Sequence, residues 1–229
     1  MLAIKDLNLA YGQSRVVRDV SFTCAPGETV AVMGRNGMGK TTLMKGMIGI
    51  LKRESGSITV NGVEISTLDS FKRVKAGIAY VPQGRQIFSS LTVEENIKTG
   101  LETVKDKRIP EYIYQMFPIL KEFKNRKGGN LSGGQQQQLA ISRALVSNPK
   151  VLILDEPTEG IQPSIIKEIA QSLNVIKKER GLAIVVSEQV LSFALEVADR
   201  ILVIEGGKIV REDKRSEVDA AKVAKYLSV

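Results

Sequence analysis

The chain has 229 residues, and its 43% hydrophobic content is typical of a globular domain that can bury a large core. Its longest aliphatic runs span four or five residues, far short of the roughly 18 to 20 that cross a bilayer, which excludes a channel. The net charge of +8 comes from cations scattered among acids without interleaved aromatic rings. This pattern favours solvated surface, with some attraction to an anionic membrane face, over a nucleic-acid-binding surface.

Cysteine content and the first residues bear on the compartment. The single cysteine, Cys24, allows no internal disulfide and is expected to pack in an apolar site of a protein from a reducing compartment. Residues 1–6 lack the apolar core of a secretory signal, so we expect a cytoplasmic protein.

A phosphate-binding loop at residues 34–41 fits the template G-x-x-x-x-G-K-[ST] in full. A short apolar strand at 28–33 enters it, and a helix over 42–48 is predicted to follow, with an N-terminus that favours an anion. Lys40 would contact the β/γ oxygens of a nucleotide, and the Thr41 hydroxyl would bind Mg²⁺. The predicted nucleotide-binding residues of this segment are Gly34, Arg35, Asn36, Gly37, Met38, Gly39, Lys40, Thr41 and Thr42.

The next segments predict a hairpin and then a helical insert. Residues 58–65 alternate around Asn61-Gly62, which is a strong signal for a two-residue hairpin turn. Residues 92–126 are predicted to be helical and to be broken at Pro110 and Pro118.

The run Leu-Ser-Gly-Gly-Gln at 131–135 precedes a predicted helix over 136–146. Small residues before a helix N-terminus can present backbone N–H donors to an anion. The alternative is that Gly133-Gly134 only forms the turn into the helix.

Twenty-four positions after this run begins, the apolar strand 151–154 ends in Asp155 and Glu156. Because strand side chains alternate in direction, one carboxylate can face a metal ion while its neighbour faces a reacting water. We assign Asp155 to the Mg²⁺ shell and Glu156 to activating the water. The alternative is an acid pair that merely ends the strand before Pro157.

The last third of the chain predicts further elements of a parallel-sheet protein. A helix begins at Pro163, an apolar strand covers 182–186, a hairpin covers 201–210, and Ser216 is expected to cap a short final helix, with Asp219 three residues on. One apolar face of the Pro163 helix is formed by Ile165, Ile166, Ile169, Leu173 and Ile176.

These motifs together resemble the ATP-binding subunits of ATP-binding-cassette (ABC) transporters, and the resemblance spans nearly the whole chain. It implies an α/β fold: a P-loop NTPase core with a RecA-like, mostly parallel sheet, an N-terminal antiparallel β subdomain and an inserted α-helical subdomain. One domain, 1–229, is expected, with the core in 1–84 and 148–229 and the helical signature subdomain in 85–147.

The resemblance also implies roles for residues whose chemistry is not evident from their type. Gln83 matches the family's lid glutamine, which reaches Mg²⁺ and the attacking water and is counted here as catalytic and metal-binding. Tyr11 lies where the family stacks a ring on adenine. Ser132, Gly133, Gly134 and Gln135 belong to the family signature, which closes over the nucleotide of a second, head-to-tail subunit.

Gln189 departs from the family pattern, because most members carry a histidine there that contacts the γ-phosphate, and this chain has no histidine. A glutamine amide can donate a hydrogen bond to a phosphate oxygen, but it does not titrate near neutral pH. We therefore predict that the catalytic contact is kept and that any titrating role is lost. The alternative is a solvent-facing loop residue.

Three functions remain to be compared. The favoured one is the ATP-hydrolysing, Mg²⁺-dependent motor of a membrane importer, peripheral on the cytoplasmic face of the inner membrane, with permease subunits, a second ATP-binding subunit and, indirectly, a substrate-binding protein as partners. A soluble ATPase of the same class acting on nucleic acid or ribosomes would need a long insertion, and only 115 positions separate Lys40 from Asp155. A non-hydrolysing scaffold conflicts with the presence of Glu156, which is assigned to activating the water.

The cargo is approached only by resemblance. The segment 80–88 is similar to importers of branched-chain amino acids and urea, and the segments 128–138 and 155–167 favour the urea branch. Urea or a short amide is therefore the expected cargo, with branched-chain amino acids as the alternative. The second ATP-binding subunit is either this chain or a paralogue.

Overall fold

The computed structural model describes residues 1–227, in which the strands form two sheets. The strands are β1 (Leu2–Tyr11), β2 (Ser14–Cys24), β3 (Thr29–Met33), β4 (Arg53–Val60), β5 (Val63–Glu64), β6 (Ile78–Val81), β7 (Val151–Asp155), β8 (Ala183–Glu188), β9 (Arg200–Glu205) and β10 (Lys208–Lys214). The α-helices are α1 (Lys40–Ile48), α2 (Ser70–Lys75), α3 (Val93–Thr99), α4 (Glu111–Met116), α5 (Pro118–Glu122), α6 (Gly133–Leu145), α7 (Pro163–Arg180), α8 (Leu191–Val197) and α9 (Ala220–Leu227).

One sheet is antiparallel and N-terminal, and the other is mostly parallel. The first has the strand order β2-β1-β4-β5, and the second has the order β10-β9-β3-β8-β7-β6. In the second sheet only the edge strand β10 runs antiparallel to its neighbour. This architecture confirms the predicted fold class.

The parallel sheet is buried on both faces, which explains why its strands are continuous apolar runs rather than alternating ones. Along β3, Ala31 and Met33 face a core that includes helices α3 to α8, whereas Val30 and Val32 face a second core with α1 and the antiparallel sheet. The strand β7 alternates between the two cores in the same way.

The carboxyl ends of four parallel strands meet at one edge of this sheet, and each segment with a predicted catalytic residue follows one of them. The phosphate loop follows β3, Gln83 follows β6, the acid pair closes β7, and Gln189 follows β8. Ligands of open α/β sheets bind at this edge.

Helices α3 to α6 follow one another between β6 and β7, in the segment predicted to be the helical subdomain. Both prolines lie at helix starts, as predicted: Pro110 is the N-cap of α4, and Pro118 is the first residue of α5. The preceding helix ends earlier than expected, because α3 stops at Thr99 and residues 100–110 are not helical. The division of the domain at residues 85 and 147 stays a prediction.

Both predicted hairpins are present. In the first, Asn61 and Gly62 adopt φ of 51° and 80°, as a two-residue turn with two left-handed positions requires, and a Cβ on Gly62 would meet nothing within 4 Å. In the second, a Cβ on Gly207 would lie 1.9 Å from the carbonyl oxygen of Val16. The Gly207 carbonyl accepts from the Arg18 N–H at 2.8 Å, and the Gly207 N–H donates to the Met38 carbonyl in the phosphate loop at 3.1 Å.

Three predicted helix starts are wrong, the first by two residues, because α1 begins at Lys40 rather than at Thr42. The helix expected over 136–146 begins at Gly133, because Ser132 and Gln135 form a reciprocal capping box that draws both glycines into the first turn. Ser216 does not cap the last helix; it lies in a short 3₁₀ turn, and Asp219 accepts from the N–H groups of Ala221 and Lys222 at 3.0 and 3.1 Å.

The C-terminal end of α1 is closed by a buried arginine. Arg73 is 2% exposed, and its guanidinium donates to the carbonyls of Gly46 and Met47 at 2.7 and 2.8 Å. Helix-end carbonyls lack partners within their own helix, so these bonds satisfy buried acceptors that would otherwise destabilise the fold. The helix that carries Lys40 and Thr41 is thereby anchored at its far end.

Within residues 1–227, no helix combines the length and the apolar character that crossing a membrane requires.

Cys24 lies in an apolar site, as its sequence context suggests. The side chain is fully buried at the end of β2, and the thiol points towards the carbonyls of Glu28 and Ile184 at 3.4 and 3.5 Å. Burial, with a smaller contribution from the charge of Glu28, raises the pKa of the thiol to about 12.

Cys24 should therefore resist alkylation in the folded protein. At pH 8 a thiol with a pKa of about 12 is ionised to about 1 part in 10⁴, whereas an unfolded cysteine is substantially ionised. We expect iodoacetamide to modify the native chain about a thousandfold more slowly than the chain in urea, as followed by mass spectrometry. A Cys24→Ala/Asn125→Cys variant, with its thiol at an exposed position, should react quickly while folded. Fast labelling of the native wild type would contradict this assignment.

Candidate active site

The phosphate loop has the geometry expected of an anion cradle. Gly37 and Gly39 adopt φ of 79° and 104°, which side chains rarely tolerate. A Cβ on Gly34 would lie 2.5 Å from the carbonyl oxygen of Ile204, so the loop packs too closely for any other residue there. The buried Lys40 ammonium donates to the carbonyls of Gly34 and Arg35 at 2.7 and 3.0 Å.

Asp155 lies at the centre of a group of oxygen-bearing side chains. Its Oδ1 accepts from the hydroxyls of Thr41 at 3.1 Å and Ser187 at 2.6 Å, and its Oδ2 accepts from Tyr80 at 3.2 Å. Burial raises the pKa of the Asp155 carboxyl above its ordinary value; the three hydroxyl donors oppose this rise and the charge of Glu156 adds to it. Carboxylate and hydroxyl oxygens are the ligands that Mg²⁺ prefers, so this set fits the predicted ion.

Glu156 differs from the prediction in how its side chain is directed. It lies outside β7 and adopts a φ of 47°, a left-handed conformation, so a backbone turn rather than strand alternation separates it from Asp155. Its N–H donates to the Ser187 carbonyl at 3.0 Å, which holds that turn. Such strain costs on the order of 1–3 kcal/mol and persists only where its surroundings enforce it.

Three predicted site residues from different segments reach the Glu156 carboxylate. Lys40 Nζ lies 3.2 Å from Oε1, Gln189 Nε2 donates to Oε1 at 3.0 Å, and Gln83 Nε2 donates to Oε2 at 3.3 Å. The Gln189 amide also donates to Asn36 Oδ1 in the phosphate loop at 2.9 Å. Gln189 therefore faces the site and is not a solvent-facing loop residue.

Three residues of this site have no motif that marks them in the sequence. Ser187 and Tyr80 contact Asp155 because β8 and β6 flank β7, and Ser187 pairs with Asp155 in the parallel register. Glu188 is 2% exposed, and its Oε1 accepts from both the N–H and the hydroxyl of Thr158 at 3.1 and 2.6 Å. The one feature of the sequence that indicates Ser187, Tyr80 and Glu188 is that acids and hydroxyls occur near the ends of the strands that flank β7.

The remaining predicted residues lie apart from this group. Ser132 is the N-cap of α6, and the first residues of that helix pack on Arg85, Gly160 and Ile165. Tyr11 ends β1 with 49% of its surface exposed. Among residues 1–227, neither Tyr11 nor Ser132 is hydrogen-bonded to the group around Asp155 and Glu156.

Comparison with known proteins gives a consistent result. The family model described as ABC transporter matches residues 17–159. The high-affinity branched-chain amino acid transport ATP-binding protein BraG of Pseudomonas aeruginosa is 41% identical over 216 residues, 93% of this chain and 92% of that protein. The probable branched-chain amino acid transport ATP-binding protein LivF of Archaeoglobus fulgidus is 36% identical, covering 95% and 94%.

A solved structure agrees with these relatives. The dimeric post-hydrolysis state of an ATP-binding cassette bound to ADP and Pi has a TM-score of 0.84 and 26% identity, over 94% of this chain and 99% of that chain. The fold shared with that structure, the family match and the phosphate cradle around Lys40 in this chain lead to one conclusion. This chain belongs to the ABC transporter family, as a nucleotide-binding subunit with ATPase activity.

Proposed function

We propose that this chain is the ATP-hydrolysing motor of an importer for branched-chain amino acids. One observation carries the mechanism: the phosphate loop, the lid glutamine and the residue after β8 all reach the Glu156 carboxylate, through Lys40, Gln83 and Gln189. A carboxylate that receives donors from three segments is oriented before a substrate arrives, which is what a general base requires.

Asp155, Thr41 and Gln83 would hold Mg²⁺. The Thr41 hydroxyl and the Asp155 carboxylate are 3.1 Å apart, which supports a shared hard-cation site. When bound, the ion would neutralise negative charge on the phosphate oxygens.

The protein's own residues then divide the hydrolytic step between them. Glu156 takes the proton of the water that attacks the γ-phosphorus, while the bond to the bridging oxygen breaks. Lys40 stabilises charge on the phosphate, and Gln189 donates to a phosphate oxygen. Tyr11 would stack on the adenine from the exposed end of β1.

A second ATP-binding subunit would complete the site. Ser132, Gly133, Gly134 and Gln135 lie at the N-terminus of a 13-residue helix, whose N–H groups and dipole favour an anion. The dimeric cassette bound to ADP and Pi supports a dimer. The head-to-tail arrangement, in which this end faces the partner's nucleotide, is what the family resemblance implies. Either this chain or a paralogue can be that partner.

A groove beside Gln83 suits a membrane partner. Its cavity of about 480 Å³ lies between α6 and β6, and two large apolar side chains on its lining, Ile50 and Phe88, are 59% and 49% exposed. Exposed apolar side chains next to the Gln83 loop favour a protein contact. We assign this groove to a cytoplasmic segment of the permease, which would keep the subunit peripheral on the cytoplasmic face of the inner membrane.

The cargo proposal follows the relatives rather than the sequence motifs. The segments 128–138 and 155–167 favour urea by resemblance, but the two relatives described above are named for branched-chain amino acid transport. The urea preference has no support from them, so branched-chain amino acids are the better supported cargo, delivered by a substrate-binding protein.

Replacing Glu156 by glutamine should abolish hydrolysis without abolishing nucleotide binding. The amide cannot accept the water proton, so turnover should fall by about 10²- to 10⁴-fold. The ion pair with Lys40 is lost, but Lys40 and the phosphate loop remain to bind the nucleotide. ATPase assays and binding of a fluorescent ATP analogue measure the two effects. Glu179→Gln, at an exposed position of α7, is the matched control. Rapid hydrolysis by Glu156→Gln would remove Glu156 from its role.

Replacing Gln189 tests the departure from the family pattern. Gln189→Ala loses the donor to both Glu156 and Asn36 and should slow turnover about tenfold or more, whereas Gln189→His should be tolerated. The pH profile of the wild type should show no step near 6.5, because the chain contains no imidazole. Gln171→Ala, on the exposed face of α7, is the control. Full activity of Gln189→Ala would contradict the assignment.

Uptake by the assembled transporter tests the cargo. Vesicles that contain the permeases, both ATP-binding subunits and the binding protein should accumulate labelled leucine when ATP is supplied inside, and a Glu156→Gln subunit should stop this. ATP-dependent uptake of urea that excess leucine does not reduce would instead support the urea branch.

A further inference from the structure

The segment after Gln83 has an unusual backbone. Gly84, Arg85 and Gln86 adopt φ of 74°, 65° and 46°, three consecutive left-handed residues of which two carry side chains. Left-handed backbone is unfavourable for residues with a side chain, so the conformation needs external support. We call residues 82–88 the lid loop.

Helix α6 supplies part of that support. Arg143 donates from Nη1 to the Gln86 carbonyl at 2.9 Å and from Nη2 to the Arg85 carbonyl at 3.2 Å. Its guanidinium also lies 5.5 Å from the ring centre of Phe88. The strained part of the lid loop is thus held by the helix whose first turn carries the signature.

The Arg85 side chain extends the connection in the other direction. Its Nη2 donates to the Glu159 carbonyl at 2.7 Å and, more weakly, lies 3.4 Å from the Gly160 carbonyl. These carbonyls belong to the turn that follows the acid pair, in which the Glu159 N–H donates to the Glu156 carbonyl at 3.3 Å. Arg85 is therefore connected through one turn to the backbone of the general base.

The first residue of α6 packs on this contact. A Cβ on Gly133 would lie 3.2 Å from the Gly160 carbonyl oxygen and 3.3 Å from Arg85 Nη2, which is tighter than ordinary side-chain contacts. The lid loop, the turn after Glu156 and the signature end of α6 therefore meet at a single guanidinium.

We propose that Arg85 is a positioning residue that makes these three segments move as a unit, so that Gln83 and Glu156 reach their working positions together. Arg85 touches no substrate and acts through Glu156. The lid loop contacts the Glu156 carboxylate through Gln83, and it contacts the turn that follows Glu156 through Arg85. The inference rests on the proposed role of Glu156 and goes beyond it, because Arg85 connects that role to the signature helix.

The test compares Arg85→Ala, Arg85→Lys and Gln83→Ala, with Arg108→Ala as a matched control at an 88% exposed arginine. Turnover, KM and analogue affinity are measured in the assembled transporter, together with the urea midpoint of the isolated chain. Arg85→Ala should lower kcat by about 10- to 100-fold, because small misplacements of a catalytic group have effects of this size, with ATP affinity unchanged within about twofold. Arg85→Lys should recover part of the rate, since an ammonium replaces only one of the fork's donors.

A double variant separates positioning from a general loss of structure. If Gln83 and Arg85 act on the same carboxylate, Gln83→Ala/Arg85→Ala should be little slower than the more damaged single variant. Multiplicative effects, or a kcat for Arg85→Ala within about twofold of wild type, would overturn the inference. An active Glu156→Gln protein would instead count against the proposed function itself, so the two failures are distinguishable.

Discussion

A single carboxylate, that of Glu156, receives donors from three separate parts of the chain, and the site is arranged around it. Glu156 adopts a left-handed conformation, and its N–H donates to the Ser187 carbonyl on the neighbouring strand. The position of the carboxylate therefore depends on the register between β7 and β8. The parallel sheet matters to chemistry for this reason. Its four carboxyl ends bring together Lys40, Gln83, Glu156 and Gln189, which are far apart in sequence.

The electrostatics of the neighbouring Asp155 follow the same logic. Burial makes the ionised form of this carboxyl unfavourable and raises its pKa. Three hydroxyl donors from α1, β6 and β8 reduce the cost without removing it, which leaves a site that gains from a divalent cation. The polar groups around the proposed catalytic residues thus also suit the proposed Mg²⁺ ion.

Much of this was predictable from the sequence, because glycine-rich loops, hairpin turns and buried strands depend on local backbone chemistry. One error lies at Glu156, which a left-handed backbone conformation rather than strand alternation directs. Two others occur where capping decides at which residue a helix begins. Gly133 and Gly134 favour a turn by propensity, but the Ser132–Gln135 box makes them helical, and Asp219 rather than Ser216 has an oxygen positioned for the last helix. Ser187, Tyr80 and Arg85 were not predictable, since strand register and loop packing create their contacts. The cargo could not be predicted from physical principles either, because no residue of this site would contact an amino acid or urea.

The two glycine hairpins look alike in sequence but differ in what surrounds them. The Gly62 turn projects into open space, whereas Gly207 is wedged between Val16 and Met38, so that it links the antiparallel sheet to the phosphate cradle. An epitope tag or fluorophore inserted at the first turn should leave the nucleotide pocket undisturbed. The same insertion at the second would disturb the contacts that Gly207 makes with Val16, Arg18 and Met38, and with them the phosphate loop.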